Sequence, residues 1–327
     1  MEVAANEACP DSRFTLVAGE GDGAMLGLAA GDAAGGASEL GYSAVTEQAT
    51  VIAYQLIERR RLSPAELVHG LQEMDGAEDG ESVYRSETSH FRAWLDRASA
   101  GPPAPEDEPS LDGVARAAPL GVAFREDPAA VVAETLAMSR LFDRHAVSFA
   151  ASVVSAAAVA AASFGQSGAD LIAGVAQAAA PAIDAVAVGS KGQERLASLG
   201  PDVMGLVGAV GVKDGAQALE RAGGDSSDPI HLMLAGLLLA APVAQPRYVP
   251  IEEAARIGGS TLSAVVGAIV GARTGIRPWP WRFANDTWFA EIGRRLTRGP
   301  YEVRDLPIPY AVEMHLNSGS PRDGYPD

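Results

Sequence analysis

The residues Gly258-Gly259-Ser260-Thr261 stand directly before an apolar run that ends at Gly275. Two glycines give a turn, and a serine or threonine after them is a candidate N-cap. Its hydroxyl can accept from the unpaired N–H groups of a helix's first turn. Such an N-terminus can hold an anion or a polar ligand, because its free N–H groups point outward. The same pattern also serves a tightly packed core helix behind an ordinary glycine turn, and the spacing alone leaves both readings open. Elsewhere the chemical signals are sparse. The acidic stretch 75–82 lacks the alternating ligand spacing of a calcium loop and reads as a solvated loop. His145 reads as a capping or solvent-facing residue. There is no P-loop, no HExxH, no GxSxG and no CxxC.

The elements that must position these residues are helical. After Ser260 and Thr261 the run carries Gly267 and Gly271 four apart, and Gly275 ends it. Near the other end of the chain, Gly23, Gly27 and Gly31 repeat the same spacing inside a helical pattern over 14–34. Glycine costs roughly 1 kcal/mol relative to alanine inside a helix. Its repeated use on one face predicts close contact with another backbone, namely the helix after Gly259. Between these ends, helices are predicted over 50–60, 64–73, 83–98, 111–122, 128–142, from after His145 to 163, 168–180, 191–199, 202–212, 230–241, before Gly258, and 286–297. Ser63-Pro64-Ala65-Glu66 reads as a helix start, and Pro181 as a stop. Trp288, Phe289, Ile292 and Leu296 recur at helical spacing as core anchors. No run of alternating strand residues is convincing. Residues 1–13 read as a frayed tail, 14–297 as one domain with an exposed linker at 99–110, and 298–327 as a Pro-rich extended tail.

Composition narrows the function class. The chain has 327 residues, 47% of them hydrophobic, which is enough for a large core. Alanine and glycine dominate and aromatics are few, which favours close-packed helices. The net charge of −17 argues against binding nucleic acid non-specifically. The single cysteine, Cys9, allows no internal disulfide and no cysteine-based zinc site, and fits a cytoplasmic protein. The N-terminus is acidic and lacks a signal pattern. The uncharged run 146–165 is long enough to suggest a membrane span. It is mostly Ala, Ser and Val without flanking aromatics, so a helix buried among helices is the better reading, with no membrane partner.

Both glycine-rich segments resemble the ADP-ribosylglycohydrolase family, of the dinitrogenase-reductase-activating glycohydrolase type. Gly27-Leu28-Ala29-Ala30-Gly31-Asp32-Ala33-Ala34-Gly35 resembles its Gly-x-Ala-x-Gly-Asp-Ala-x-Gly. Residues 258–275 resemble its Gly-Gly-Asp-Thr-Asp-Thr followed by an Ala/Gly helix. Asp112 to Gly121 is similar to the family's Gly-Asn-Gly-x-x-Met-Arg-x-Ala-Pro-Leu-Gly, and Ile276 to Trp281 to its Ile-Pro-x-x-Trp closure. The resemblance spans roughly 15–297. It implies an all-α fold, a compact orthogonal multi-helix bundle with a central cleft in which two magnesium ions position a ribose and a water.

The family's metal ligands are largely replaced in this chain. Its Thr-Asp-Asp-Thr is here Thr46-Glu47-Gln48-Ala49, leading into the helix at Thr50. Its last two aspartates are Ser260 and Leu262, with Ser263 after them. Four carboxylates become one, and Glu39 is a candidate second. Two nearby divalent ions need more negative charge than that, so no metal site is expected beyond a weak single magnesium at Glu39, Thr46 and Glu47. The implied ligand-binding set is Asp32, Thr46, Gln48, Asp112, Arg116, Gly258, Gly259, Ser260, Thr261 and Ser263. The implied ligand is a small nucleotide-like molecule, or a protein partner. Glu39 and Glu47 are the candidate catalytic residues, since a buried glutamate has a raised pKa suited to acid–base work. A protein that has lost the two-metal reaction and keeps the cleft as a binding site is the leading expectation. A metal-independent or single-metal glycosidic enzyme and a structural protein with a filled cleft are the alternatives.

Overall fold

A computed structural model describes residues 21–36, 41–76, 82–101, 105, 108–185, 193–194, 199–243, 245–281, 283–298, 303 and 305–317. Glu39, Cys9 and the expected helical residues 14–20 lie outside them, as does most of 191–199. Among the described residues the fold is all-α, with no strand. In chain order the helices are α1 (Ala24–Ala34), α2 (Ala44–Arg59), α3 (Pro64–Asp75), α4 (Ser89–Ala100), α5 (Gly113–Ala123), α6 (Pro128–Phe142) and α7 (Ala146–Ala162). They continue as α8 (Gly168–Ala185), α9 (Leu199–Gly205), a 3-10 turn over Leu206–Ala209, α10 (Gly215–Ala222), α11 (Pro229–Ala240), α12 (Val249–Thr274), α13 (Asp286–Arg298) and α14 (Pro309–Asn317).

Two apolar helices form the centre. Every residue of α7 is buried, as expected of the uncharged run. The second half of α12 is buried from Thr261 to Ala272 and packs on α1, α11, α7 and α5. The seam between α1 and α12 is where the glycine spacing acts. A Cβ on Gly27 would lie 2.2 Å from the Gly267 carbonyl oxygen, and one on Gly271 would lie 2.3 Å from that of Gly23. A Cβ on Gly31 would meet the Ser263 oxygen at 2.0 Å. Each glycine therefore makes room for the other helix's backbone, and no side chain fits between them.

Several boundaries differ from expectation for identifiable local reasons. Thr46, Glu47 and Gln48 do not lead into the second helix but form part of its first two turns. Ser43 caps that helix, its hydroxyl accepting from Val45 N at 3.3 Å, so it starts at Ala44. The helix expected from residue 83 starts only at Ser89, because the Thr88 hydroxyl accepts from Phe91 N at 3.1 Å and caps it there. Residues 83–88 are left irregular. At α3 the proline at the first position sets the start, and the Ser63 hydroxyl makes no cap bond. Helix α8 runs through Pro181 to Ala185 rather than stopping there. Asp214 caps α10, a helix the periodicity did not indicate, by accepting from Gln217 N at 3.0 Å. His145 caps α7 through Nδ1. The stretch after residue 297 is not all extended: α14 forms within it, and Leu306, Val312 and Glu313 are buried.

Candidate functional site

The head of α2 is built on one carboxylate. Asp32, fully buried on α1, accepts from Ser43 N at 2.9 Å and Thr46 N at 3.2 Å. It also accepts from the hydroxyls of Ser43 at 2.9 Å and Thr46 at 2.7 Å. Two orphan N–H groups of the helix start are thereby satisfied from outside the helix. Burial pushes the Asp32 carboxyl up to about 6, and its four donors oppose that rise. The Thr46 hydroxyl, expected to face a ligand, is instead a donor in this anchor.

Glu47 points into a second buried cluster. One of its oxygens accepts from Arg85 N at 3.0 Å, and the other pairs with the Arg85 guanidinium. The same guanidinium nitrogen pairs with Glu313 of α14. The Tyr42 hydroxyl donates to Glu313 at 2.9 Å and accepts from Asn285 Nδ2 at 2.8 Å. Two carboxylates thus share one guanidinium nitrogen, and both are buried. Burial and then the charge of Glu313 hold the Glu47 carboxyl well above the usual glutamate range, against the pull of Arg85. Glu313 is raised as well, mainly by burial.

Gln48 faces a third group. Its amide nitrogen donates to Ala44 O at 2.9 Å, and its oxygen accepts from Arg116 Nη1 at 2.8 Å. Arg116 sits on α5, fully buried, with its guanidinium 3.8 Å from the centre of the Phe142 ring. Asp143 stands 3.8 Å from Arg116 Nη2, near enough for charge attraction but too far for a hydrogen bond. His90 Nε2 lies 3.1 Å from the other Asp143 oxygen without hydrogen-bond geometry. As a result Arg116 Nε and Nη2 and both Asp143 oxygens are buried without a hydrogen-bond partner. Burial lowers the Arg116 pKa, and the charges of Asp143 and Asp112 work against that. Asp112 accepts from the Thr88 hydroxyl and makes no cap bond to α5.

The glycine elbow of α12 is narrower than the expected turn. Only Gly259 leaves helical geometry, at φ 63° and ψ −158°, and the helix resumes at once. Gly258 packs on the Leu262 side chain, where an added Cβ would lie 2.7 Å away. Ser260 is half-buried, while Thr261 is buried. The hydroxyl that folds back is that of Ser263, which donates to Gly259 O at 3.0 Å and Ser260 O at 3.1 Å. Leu262 is fully buried in the apolar core, 2.8 Å from where a Cβ on Gly236 would stand. The last turns of α1 link this elbow to the head of α2. Gly31 and Gly35 face the elbow, and Asp32 faces α2.

Asp32, Thr46, Glu47, Gln48 and Arg116 therefore come together, with Asp112 within electrostatic reach of Arg116. Glu39 lies outside the described residues. Sequence reasoning missed Arg85, Glu313, Tyr42 and Asn285 entirely. Arg85 lies in a stretch expected to be helical and Glu313 in one expected to be extended, 228 residues apart, so no local pattern marks their meeting. Asp143 was not singled out by its sequence pattern either. Its position just past α6 and across from Arg116 is a tertiary fact.

A comparison with protein families matches residues 21–305 to the ADP-ribosylglycohydrolase family. That covers most of the chain, and the chain belongs to this family. Helix α14 and its Glu313 lie beyond the matched stretch. Among solved structures the chain is similar to one described as an "ADP-ribosylglycohydrolase-related protein complex". The match has 19% identity and a TM-score of 0.61, and covers 86% of this chain and 97% of that one. A comparison with curated proteins finds no match.

Proposed function

We propose that this ADP-ribosylglycohydrolase family member has lost the two-magnesium hydrolytic reaction and uses the inherited cleft to bind a polar, nucleotide-like ligand without metal. The observation that carries the reading is what each inherited ligand atom already holds. Magnesium needs hard oxygens free to coordinate at short distance in near-octahedral geometry. Both Glu47 oxygens accept from Arg85. The Gln48 oxygen accepts from Arg116. The hydroxyls of Thr46 and Ser263 donate to Asp32 and to helix carbonyls. Leu262 is core. Two guanidinium cations face the very oxygens a metal would need, so the residues present do not fit a magnesium pair. The dinitrogenase-reductase-activating glycohydrolase type, with degraded magnesium motifs, is the family subtype this reading assigns.

The unsatisfied atoms argue for a ligand. Arg116 offers two buried N–H groups and Asp143 two buried oxygens, none with a hydrogen-bond partner. An uncompensated buried polar group costs about 1–3 kcal/mol, so a ligand with both acceptors and donors gains by meeting them. Calorimetry on the purified protein tests this. The expected result is no heat from magnesium, and micromolar ADP-ribose binding that is unchanged by magnesium and lost in Arg116→Met. Tight magnesium binding would overturn the metal-free reading. Silence from both titrants would leave the cleft filled, with Leu262 and Ala49 as core packing, and the chain as a structural or interaction protein.

One observation favours a second reading, metal-independent acid–base chemistry. Burial and Glu313 keep the Glu47 carboxyl raised, which is the condition for a general acid near neutral pH. Release of ADP-ribose from a modified substrate, abolished in Glu47→Gln and indifferent to chelator, selects it.

A further inference from the structure

The cluster around Arg85 divides by origin. Tyr42, Glu47, Arg85 and Asn285 lie inside the stretch that matches the family, whereas Glu313 lies beyond it on α14. The inner residues aim their donors at one point. The Tyr42 ring packs edge-on against Phe289, centroids 5.1 Å apart, and the Arg85 guanidinium lies 5.7 Å from the Tyr42 ring centre. Asn285 donates to the Tyr42 hydroxyl, which turns the phenol's own proton toward Glu313. That hydroxyl meets one Glu313 oxygen at 2.9 Å, and Arg85 Nη1 meets the other. A carboxylate held between a guanidinium and a phenol is the arrangement of a small oxyanion site. Here a side chain of the protein itself fills it.

The occupant is lightly fastened. Helix α14 has 9 residues, and a helix that short is marginal without tertiary support. Its main helix neighbour is α2. The segment before it buries Leu306 and is tied by two long bonds. Trp288 Nε1 donates to Pro307 O at 3.3 Å, and the Tyr54 hydroxyl to Leu306 O at 3.5 Å. Ile308 is 42% exposed, and with Pro309 and Tyr310 it borders an open groove along α2 and α3. Glu47 shares the Arg85 nitrogen with Glu313, so one buried carboxylate repels the other. A segment with few buried apolar contacts opens locally at a free energy below that of global unfolding.

We propose that Arg85 and Tyr42 form an oxyanion site which Glu313 fills as an internal plug, and that an oxyanion group of the cleft's ligand takes this site when α14 lifts away. Lifting α14 opens the head of α2 at Glu47, beside Gln48 and its partner Arg116. That the incoming group belongs to a nucleotide-like ligand rests on the reading above. The plug itself does not.

The test uses the full chain and acetate, the group that ends the glutamate side chain. Acetamide is the neutral counterpart, and chloride holds the ionic strength. Hydrogen exchange in the wild type, read by mass spectrometry, should be at least about tenfold faster over 309–317 than over α7. Acetate should speed it further and saturably, and acetamide should not. Glu313→Ala vacates the site. Exchange over 309–317 should then rise, and acetate should bind about tenfold more tightly, because it no longer competes with a tethered carboxylate. Adding Tyr42→Phe to Glu313→Ala removes a donor and should weaken acetate again. Glu220→Ala, exposed on α10, should behave as the wild type. Protection of 309–317 equal to that of α7 overturns the proposal, as does equal acetate affinity in the wild type and Glu313→Ala, or an equal effect of acetamide. If Glu313→Ala does not fold, the wild-type response to acetate decides alone. ADP-ribose should also bind Glu313→Ala more tightly than the wild type. Acetate competing while ADP-ribose is silent would sustain the plug and sink the nucleotide reading.

Discussion

The seam between α1 and α12 and the cluster around Arg85 are both closed, buried contacts, yet they are held by opposite means. At the seam, backbone meets backbone with no side chain between, and no titratable group takes part. At the head of α2, Glu47, Arg85, Glu313 and Tyr42 meet through long polar side chains drawn from three separate parts of the chain. Shape decides the first contact and charge the second. The seam should therefore be intolerant of volume and indifferent to pH, and the cluster the reverse.

A large effect is expected at the seam. Gly27→Ala places a methyl 2.2 Å from the Gly267 oxygen and 3.0 Å from Gly271 Cα, and both obstacles are backbone. Neither can swing aside, so the helices must separate along their length. We expect a loss of about 3 kcal/mol or more in urea unfolding, equal at pH 5 and pH 8. Gly36→Ala is the control. Nothing lies within 4 Å of its Cβ, and only its φ of +71° opposes the substitution. That should cost about 1 kcal/mol. Equal losses in the two variants would show that backbone conformation, not close approach, placed these glycines.

Arg85→Met tests the other region. It leaves two buried carboxylates without their cation, which should cost about 3–5 kcal/mol at neutral pH. The cost should shrink in acid, and the sign follows from the direction of the shifts. Glu47 and Glu313 hold their protons to higher pH when folded than when unfolded. The folded state then binds more protons, and stability falls as pH rises through the folded pKa values. Without Arg85 to favour the carboxylates, that fall is steeper. Below the unfolded glutamate range both variants carry neutral acids, and the gap between them narrows. A deficit that stays constant with pH would mean that Arg85 acts by packing, not charge.

The contrast also explains what could be read from the sequence. Glycines four apart, at Gly23, Gly27 and Gly31 and again at Gly267 and Gly271, are a local signal of a contact between distant helices. That contact could be foreseen. The all-α class was legible for the same reason, since alanine-rich periodicity recurs along the chain. Arg85 carries no such mark. It sits in an irregular stretch fixed by the Thr88 cap, and its partners are set only when α2 and α14 are in place. Glu313 was hidden among prolines that read as an extended tail. Even the start of α2 depended on Asp32, a residue of another helix. Spacing reveals contacts made by repeating small residues, whereas single polar residues that meet in space leave no period to find.

The smallest effect sharpens the comparison most. In Glu313→Gln the side chain keeps its shape and one carbonyl oxygen for the Arg85 guanidinium. It loses the second acceptor, so the Tyr42 hydroxyl, already accepting from Asn285, must find another partner. Losing one such hydrogen bond costs about 1 kcal/mol. Against that, the wild-type cluster has two carboxylates on one guanidinium nitrogen, and removing one charge relieves their repulsion. The two changes oppose each other, and we expect a net difference within about 1 kcal/mol at pH 7. The pH dependence separates them. Wild-type stability falls as pH rises through the raised Glu313 pKa, and the variant lacks that group, so its stability should fall less over the same rise. Measured by urea unfolding from pH 5 to pH 8, the variant should start below the wild type in acid and close the gap toward neutral pH. A loss as large as that of Gly27→Ala, or one that does not change with pH, would place the α14 contact with the seam, as a matter of shape.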